Sequence, residues 1–445
     1  MKNNYWIGID LGGTKIAGAC VDSTGQILHR LKIPTPRQGG VKKIVQCLEQ
    51  LCGQLIQSAG PSLPAGAVGI GIPGIVDAAH RNITVTPNLN ISGLSLAEIL
   101  EKNIRLPVII GNDVNLGLLG EQWLGAAQGK QNVVGLFPGT GIGGAIIIKN
   151  ELVEGSNGAA AELGHILVHP DGPLCTCGNR GCLEALTGRW AIERDIRAAV
   201  KQGEKTVISK LLNNDLSVVK SSIIKEALRQ KDPLTMKLIG RLALHLGRAC
   251  VSLRHIFDPD AIVFGGGLIE ACPEHILPPV QAAVKQDPLF RRVKPCDILT
   301  ARLSDDAVLL GAVALAHKTL GIKLPPAARS LELRIAENGL LILNGKPRRR
   351  DFYIRADGKI KKRNERFLSR RFELTPEELE KICKKKPALL IIGTTPDSPL
   401  SLTKQSEALL RGWDIACKVL PRGQAIELYR QAPEQNALFI QNHSS

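Results

Sequence analysis

Apolar and polar positions along this chain fall into a recurring pattern of an apolar run that ends in clustered glycine. In "YWIGIDLGGTKIAGACVDSTGQIL" (Tyr5–Leu28) the alternation predicts strand, glycine turn, strand. "VVGLFPGTGIGGAIIIKN" (Val133–Asn150) repeats that layout about 130 residues later, which predicts two similar halves. "DPDAIVFGGGLIE" (Asp258–Glu270) is a strand that runs into Gly265, Gly266 and Gly267. In "RLPVIIGNDVNLGLLGEQWLG" (Arg105–Gly125) a buried strand ends at Gly111, and Asn112–Asp113 opens a helix.

After "GIKLPPAARS" the pattern changes, and Pro325–Pro326 with small neighbours reads as a linker. "LELRIAENGLLILNG" predicts a hairpin and "DFYIRADGKI" a strand with a turn. "LTPEELEKICKKK" predicts a capped helix, with Thr375 at the N-cap, Pro376 first inside and Glu378 closing a capping box. "ALLIIGT", "LTKQSEALLRGW", "DIACKVL", "GQAIELYRQA" and "NALFIQN" then alternate strand and helix, the signature of a small three-layer α/β domain.

At 445 residues and 44% hydrophobic, the chain has the material for two to three cored domains. The opening "MKNNYWIGIDLGG" lacks the apolar region of a signal peptide, and no apolar run reaches the ~18–20 residues of a membrane span. Eleven cysteines, most of them scattered among apolar neighbours, fit a reducing compartment, so the cytoplasm is the expected location. Net charge is +16, and the segment from Lys323 onward holds most of it, with 24 Lys/Arg against 14 Asp/Glu. Its basic runs "GKPRRRDFYIR" and "GKIKKRNERFLSRRF" interleave Phe352, Tyr353, Phe367 and Phe372. Stacking aromatics among cations would suit nucleic acid. A solvated basic face with its aromatics turned inward is the preferred reading, because no nucleic-acid-binding module is present. A docking surface for an acidic partner is the other use such a face allows.

Candidate chemistry follows from the glycine turns. Asp10, Gly12, Gly13, Thr14 and Lys15 sit around the first bend. Paired glycines let backbone N–H groups approach a polyanion, Thr and Lys add donors, and Asp10 can hold Mg²⁺ through water. The Walker A spacing is absent, and a strand rather than a helix follows, so the dinucleotide fingerprint is absent too. Asp113, at the carboxyl end of a strand, stands where α/β sheets bind ligands. On its own pattern it reads better as a helix cap.

"HILVHPDGPLCTCGNRGCLE" places Cys175, Cys177 and Cys182 within eight residues of a Pro/Gly-rich loop. A disulfide is disfavoured by compartment and such a loop has little core to fill, which leaves a Cys₃His zinc site. Either His165 or His169 reaches as fourth ligand by spacing. Four protein ligands would close the site and make the zinc structural.

Taken together, "DLGGTK", "GIPGIVD", "GNDVN", "GTGIGG", "AELGH", "CTCGNRGCLE", "GGGL" and "LSDDAVLLGAVALA" resemble, in order, the motifs of the ROK family of sugar kinases and repressors. The likeness covers residues 1 to about 322 and is greatest to the family's bacterial glucokinases. It implies an actin-like, hexokinase-like fold of two α/β lobes with a cleft between them. It assigns Asp10, Gly12, Gly13, Thr14 and Lys15 to one phosphate loop and Gly139, Thr140, Gly141 and Gly143 to the other. Gly265, Gly266 and Gly267 fall to adenosine, and Asp113 to the catalytic base. Gly74, Asn112, Asp113, Glu162, His165 and Glu184 fall to the sugar. The family's zinc histidine is that of "ELGH", so the resemblance selects His165 with Cys175, Cys177 and Cys182.

The implied reaction is ATP-dependent phosphorylation of a hexose, glucose foremost, with Mg²⁺ and a structural zinc, in a homo-oligomer without membrane or nucleic-acid partners. The alternatives are a kinase for N-acetylglucosamine, N-acetylmannosamine or fructose, and a sugar-responsive repressor. Such repressors carry a helix-turn-helix ahead of the first phosphate loop, where this sequence has about four residues. Two departures stand out: Ala161 precedes Glu162 where the family often has glycine, and Ala145 follows "GTGIGG".

Residues 334–445, beyond a linker at 323–333, resemble the small α/β domain of a mitochondrial complex I assembly factor family. The likeness rests on "ELTPEELEKI", "LLIIGT" and "GQAIELYRQ", and it brings no catalytic residues.

Overall fold

In the computed structural model the chain divides into two units, Met1–Pro325 and Pro326–Ser445. The residues described are 4–36, 38–60, 64–87, 89–293, 295–324, 333–335, 341–343, 346–348, 350–356, 359–364, 373–395, 400–431 and 436–441.

The alternation around the first glycines folds as β1 (Tyr5–Leu11) and β2 (Lys15–Asp22), paired antiparallel and followed by β3 (Ile27–Pro34). β4 (Ala65–Ile72) adds parallel to β1, and a two-stranded ladder, β5 (Ile75–Val76) with β6 (Ile83–Val85), leads to β7 (Val108–Asn112). The sheet order is β3-β2-β1-β4-β7. β1 is buried almost throughout, as a central strand covered on both faces must be.

The second glycine stretch builds β8 (Val133–Pro138), β9 (Ile142–Ile148) and β10 (Glu151–Leu152), to which β11 (Ala261–Phe264) and β12 (Asp297–Thr300) add in parallel. Their order, β10-β9-β8-β11-β12, repeats the first plan: a central strand with a hairpin on one side and two parallel strands on the other. The two similar halves expected from the sequence are these two lobes.

Helix Gly40–Ala59 covers the first sheet through Leu48, Leu51 and Leu55. The 25-residue helix Pro233–Phe257 covers the second with Leu238, Leu242, Leu246 and Leu253 at helical spacing. Asp232 caps that helix by accepting from the Thr235 N–H. Helices Asp113–Trp123 and Ala307–Thr319 are buried on nearly every side and share one core with both sheets. They approach closely because small residues permit it. A Cβ at Gly311 would lie 1.7 Å from Leu116 O, and one at Gly8 would lie 2.2 Å from Leu309 O.

The C-terminal unit pairs β13 (Leu333–Ile335), β14 (Leu341–Leu343) and β15 (Lys346–Arg348) into an antiparallel sheet. A five-stranded sheet is formed by β16 (Phe352–Ile354), β17 (Ile360–Lys362), β19 (Leu389–Thr394), β21 (Ala416–Pro421) and β22 (Asn436–Ile440), in the order β17-β16-β22-β19-β21. β18 (Glu373–Leu374) pairs with β20 (Ser401–Leu402). Alternate residues along β19 and β22 feed two cores. Ile391, Leu438 and Ile440 meet helix Arg422–Gln431, while Leu390, Ile392 and Phe439 meet Leu379 and Leu410 of helices Pro376–Ile382 and Lys404–Gly412. The unit is α/β, with helices on both faces of the sheet. Phe352 is buried, and Tyr353 packs against the opposite core. Phe367, Phe372 and most of the expected linker lie outside the described residues. Leu333, the last residue of that linker, is buried as the first of β13.

Candidate functional site

The first glycine turn joins β1 to β2, with Lys15 opening β2. Gly12 N–H donates to Lys15 O at 3.0 Å, and Thr35 Oγ1 donates to Gly12 O at 2.6 Å. Asp10 lies within β1 rather than in the bend, opposite Ala17 and beside Gly71. The second turn, between β8 and β9, is held by Arg189, whose Nη2 donates to Thr140 Oγ1 at 2.8 Å and whose backbone N–H donates to Gly139 O. A methyl added at Gly13 or Gly139 would meet nothing within 4 Å, so packing within the protein does not demand glycine at either place. Gly265 and Gly266 lie against Phe137 and Pro138 at the end of β8, and Gly266 adopts φ 87°, open to glycine at little cost. The third glycine run therefore adjoins the second turn.

Asp113 begins its helix but does not cap it. Asn112 is the N-cap: its Oδ1 accepts from Asn115 N–H at 2.9 Å, and its Nδ2 donates to Gly74 O at 2.9 Å. The local cap reading of Asp113 is thus replaced, and its Oδ1 accepts from Val114 N–H at 2.9 Å. Burial pushes Asp113 up to about 7, and the nearby Asp10 and Glu162 carboxylates push the same way against the Val114 hydrogen bond. Asp10 is raised as well, chiefly by burial, with Lys15 opposing. Asp10 on β1 and Glu162 therefore both stand near enough to Asp113 to repel its charge.

Gly74 has φ 129°, and a Cβ there would lie 2.1 Å from Val85 O. Ala161 has φ 67°, a left-handed conformation that suits glycine, at the position where the family often has one. Ala145 is buried in the core shared by the lobes.

His165, Cys175, Cys177 and Cys182 bring four ligand atoms within 4.8 Å of one another. His165 Nδ1 stands 3.6 Å from Cys175 Sγ, and Cys177 Sγ stands 3.6 Å from Cys182 Sγ. Zn–S bonds of about 2.3 Å give tetrahedron edges of about 3.8 Å, so the spacing and donor set fit zinc. Nδ1 faces the thiols, which leaves Nε2 on the other side of the ring. His169 is exposed and outside this group, tied into the loop through its backbone oxygen, which accepts from Gly172 N–H. Glu184, just past Cys182, links the knot to the second glycine turn. Its Oε2 accepts from Ile142 N–H at 2.8 Å, and its Oε1 accepts from Trp190 Nε1 at 3.2 Å and Thr176 Oγ1 at 3.3 Å.

The sequence reading assigned no role to Asp305, which pairs with Lys15 and Lys32 across the chain. Nor did it single out Arg189. An acidic pair ahead of an apolar helix reads as favourable helix-start charge, and nothing local marks Asp305 as a partner of the first turn.

These lobes and turns define the hexokinase-like fold. The chain belongs to the ROK family, whose model matches residues 6–319. The glucokinase of Thermotoga maritima is 32% identical over 316 residues, covering 71% of this chain and 98% of that protein. The crystal structure of a ROK family glucokinase from Streptomyces griseus in complex with glucose and AMPPNP aligns with TM-score 0.60 and 35% identity over 71% of this chain and all of that one. A ROK family transcriptional regulator, a homologue of the Escherichia coli MLC protein, aligns with TM-score 0.64 and 25% identity over 72% and 78%. The C-terminal unit lies beyond the matched residues.

Proposed function

We propose that residues 1–322 are an ATP-dependent hexose kinase that transfers the γ-phosphoryl group to the 6-hydroxyl of glucose. The observation that carries this reading is Asp113 at the carboxyl end of β7, raised to near neutrality by burial and by the Asp10 and Glu162 charges. A base of pKa near the working pH is both available and strong enough to take a hydroxyl proton. Phosphoryl transfer otherwise asks mainly for alignment and charge stabilisation.

In this reading Asp113 accepts the proton of the attacking hydroxyl while the bond from the γ-phosphorus to its bridging oxygen breaks and ADP leaves. The backbone N–H groups of Gly12–Lys15 and Gly139–Gly144 cradle the phosphates, and the space beside Gly13 and Gly139 suits that use. Gly265, Gly266 and Gly267 border the adenosine. Asp10 would hold Mg²⁺ through water, and that ion supplies charge neutralisation to the phosphates. Gly74, Asn112, Glu162, His165 and Glu184 would bind sugar hydroxyls. Zinc, held by His165, Cys175, Cys177 and Cys182, would fix the imidazole so that Nε2 meets a hydroxyl. Closure of the lobes on the sugar would exclude water and limit ATP hydrolysis.

Glucose is favoured because the Thermotoga maritima relative is a glucokinase and the Streptomyces griseus structure holds glucose with AMPPNP. A cytoplasmic homo-oligomer is the setting we assign. Residues 334–445 receive no activity from their likeness to an assembly factor domain. The second reading is a sugar-responsive regulator, favoured by the likeness to the transcriptional regulator.

The test is ADP release from Mg-ATP by the full chain across glucose, N-acetylglucosamine, N-acetylmannosamine, fructose and allose. Turnover highest on glucose supports the proposal. A folded, zinc-loaded chain that turns over no sugar would sink the kinase reading and favour the regulator.

A further inference from the structure

Lys15 is not left to wander at the mouth of the first glycine turn. Its Nζ stands 3.0 Å from Asp305 Oδ2, and the same oxygen accepts from Lys32 Nζ at 3.1 Å. Beside this pair Arg30 grips Asp306 with two nitrogens, one of them 2.6 Å from Oδ2. Lys32 and Arg30 both lie on β3, whose register against β2 sets their places.

The acidic turn is itself anchored to the helix that carries Asp113. Glu121, fully buried on that helix, accepts from Arg302 N–H and Leu303 N–H with one oxygen, both at 2.8 Å. Its other oxygen accepts from Ala126 N–H at 2.7 Å. Ser304 then takes φ 47°, left-handed for a residue with a side chain, and carries the chain into Asp305. A continuous path thus runs from the Asp113 helix through Glu121 and this turn to the Lys15 ammonium.

We infer that Asp305 is a positioning residue for nucleotide binding: it holds Lys15 at the first glycine turn and keeps that hold while the ammonium also donates to a phosphate oxygen. This rests on the kinase reading above. Three features support it. Lys15 and Asp305 are half or more exposed, so a ligand can reach both. An ammonium carries three N–H donors, so Lys15 keeps Asp305 and still has protons for a phosphate oxygen. Lys32 shares the same oxygen, so its charge offsets that of Asp305 beside an incoming phosphate. What Asp305 contributes is order, because a free lysine chain must give up its rotamer freedom on binding.

The test is titration of the full-length protein with Mg-AMPPNP, which needs no turnover. Asp305→Ala is expected to bind about fivefold more weakly, with the affinity for glucose and the melting temperature unchanged, and Asp305→Glu to bind as the parent does. In a Lys15→Met background Asp305→Ala should add nothing, since the residue acts through Lys15. Equal or tighter binding by Asp305→Ala would overturn the inference, as would an undiminished effect without Lys15. Failure of the parent protein to bind Mg-AMPPNP would instead remove the nucleotide reading itself, and the inference with it.

Discussion

In the proposed reaction, proton transfer to Asp113 would tie the rate to the ionisation of one carboxyl group. That group stands at about 7 rather than the ordinary 3.8, because burial disfavours its charge and Asp10 and Glu162 repel it. For the free enzyme, kcat/KM should therefore climb with pH along a limb of unit slope centred near pH 7. One pH unit below that midpoint about a tenth of the sites are ionised, so activity should be about a tenth of its plateau. Coupled ADP release at subsaturating hexose, from about pH 5 to 9, reads the limb. Asp10→Asn removes a repelling charge and should move the midpoint down. Asp113→Asn should cost about 10²–10⁴-fold in turnover.

The same shift affects stability with a definite sign. The folded pKa lies above the unfolded one, so the folded chain holds the proton more tightly and loses stability as pH rises through 7. The loss is at most about 4 kcal/mol. Asp113→Asn should accordingly melt above the parent protein at pH 8, by a margin that narrows toward pH 5. A limb centred near pH 4, or full turnover by Asp113→Asn, would refute the assignment.

Other outcomes follow from single features. Purified protein should carry one zinc per chain by elemental analysis, and Cys177→Ser should lose most of it and raise the hexose KM through His165 and Glu184, with nucleotide affinity kept. Ala161→Gly relieves a left-handed alanine and should stabilise by about 0.5–1 kcal/mol in urea unfolding; destabilisation would show that the alanine methyl is packed usefully. His317 is buried against Trp6, ring centroids 3.8 Å apart, with neither nitrogen hydrogen-bonded among the described residues, and burial holds it down at about 4. Because its folded pKa is depressed, its contribution is present above pH 6.5 and fades as pH falls through 4. It should cost about 2 kcal/mol between pH 7 and pH 5. His317→Phe should remove that part of the acid sensitivity, and an unchanged drop would contradict it.

Local signals carried far. The glycine turns of β1–β2 and β8–β9 were legible because period-two alternation and glycine are both short-range. The Thr375 capping box was legible for the same reason, and both of its hydrogen bonds are present. The zinc ligands were legible as residue types within one loop, although spacing alone could not choose between His165 and His169. Only resemblance made that choice.

Other features depended on the fold. Asn112 and Asp113 are equally good caps by type, and the backbone entering the helix made Asn112 the cap. Asp305 lies 290 residues from Lys15, and Arg363 is buried between Asp351 and Glu378 from separate segments. The pKa of Asp113 reflects carboxylates from two other elements and the water that packing removes. Composition and periodicity determined which strands, turns and helices this chain can form, because those preferences act over a few residues. Tertiary structure alone decided which charges face one another and how far each is from water, because electrostatic energy depends on distance and burial rather than on order along the chain.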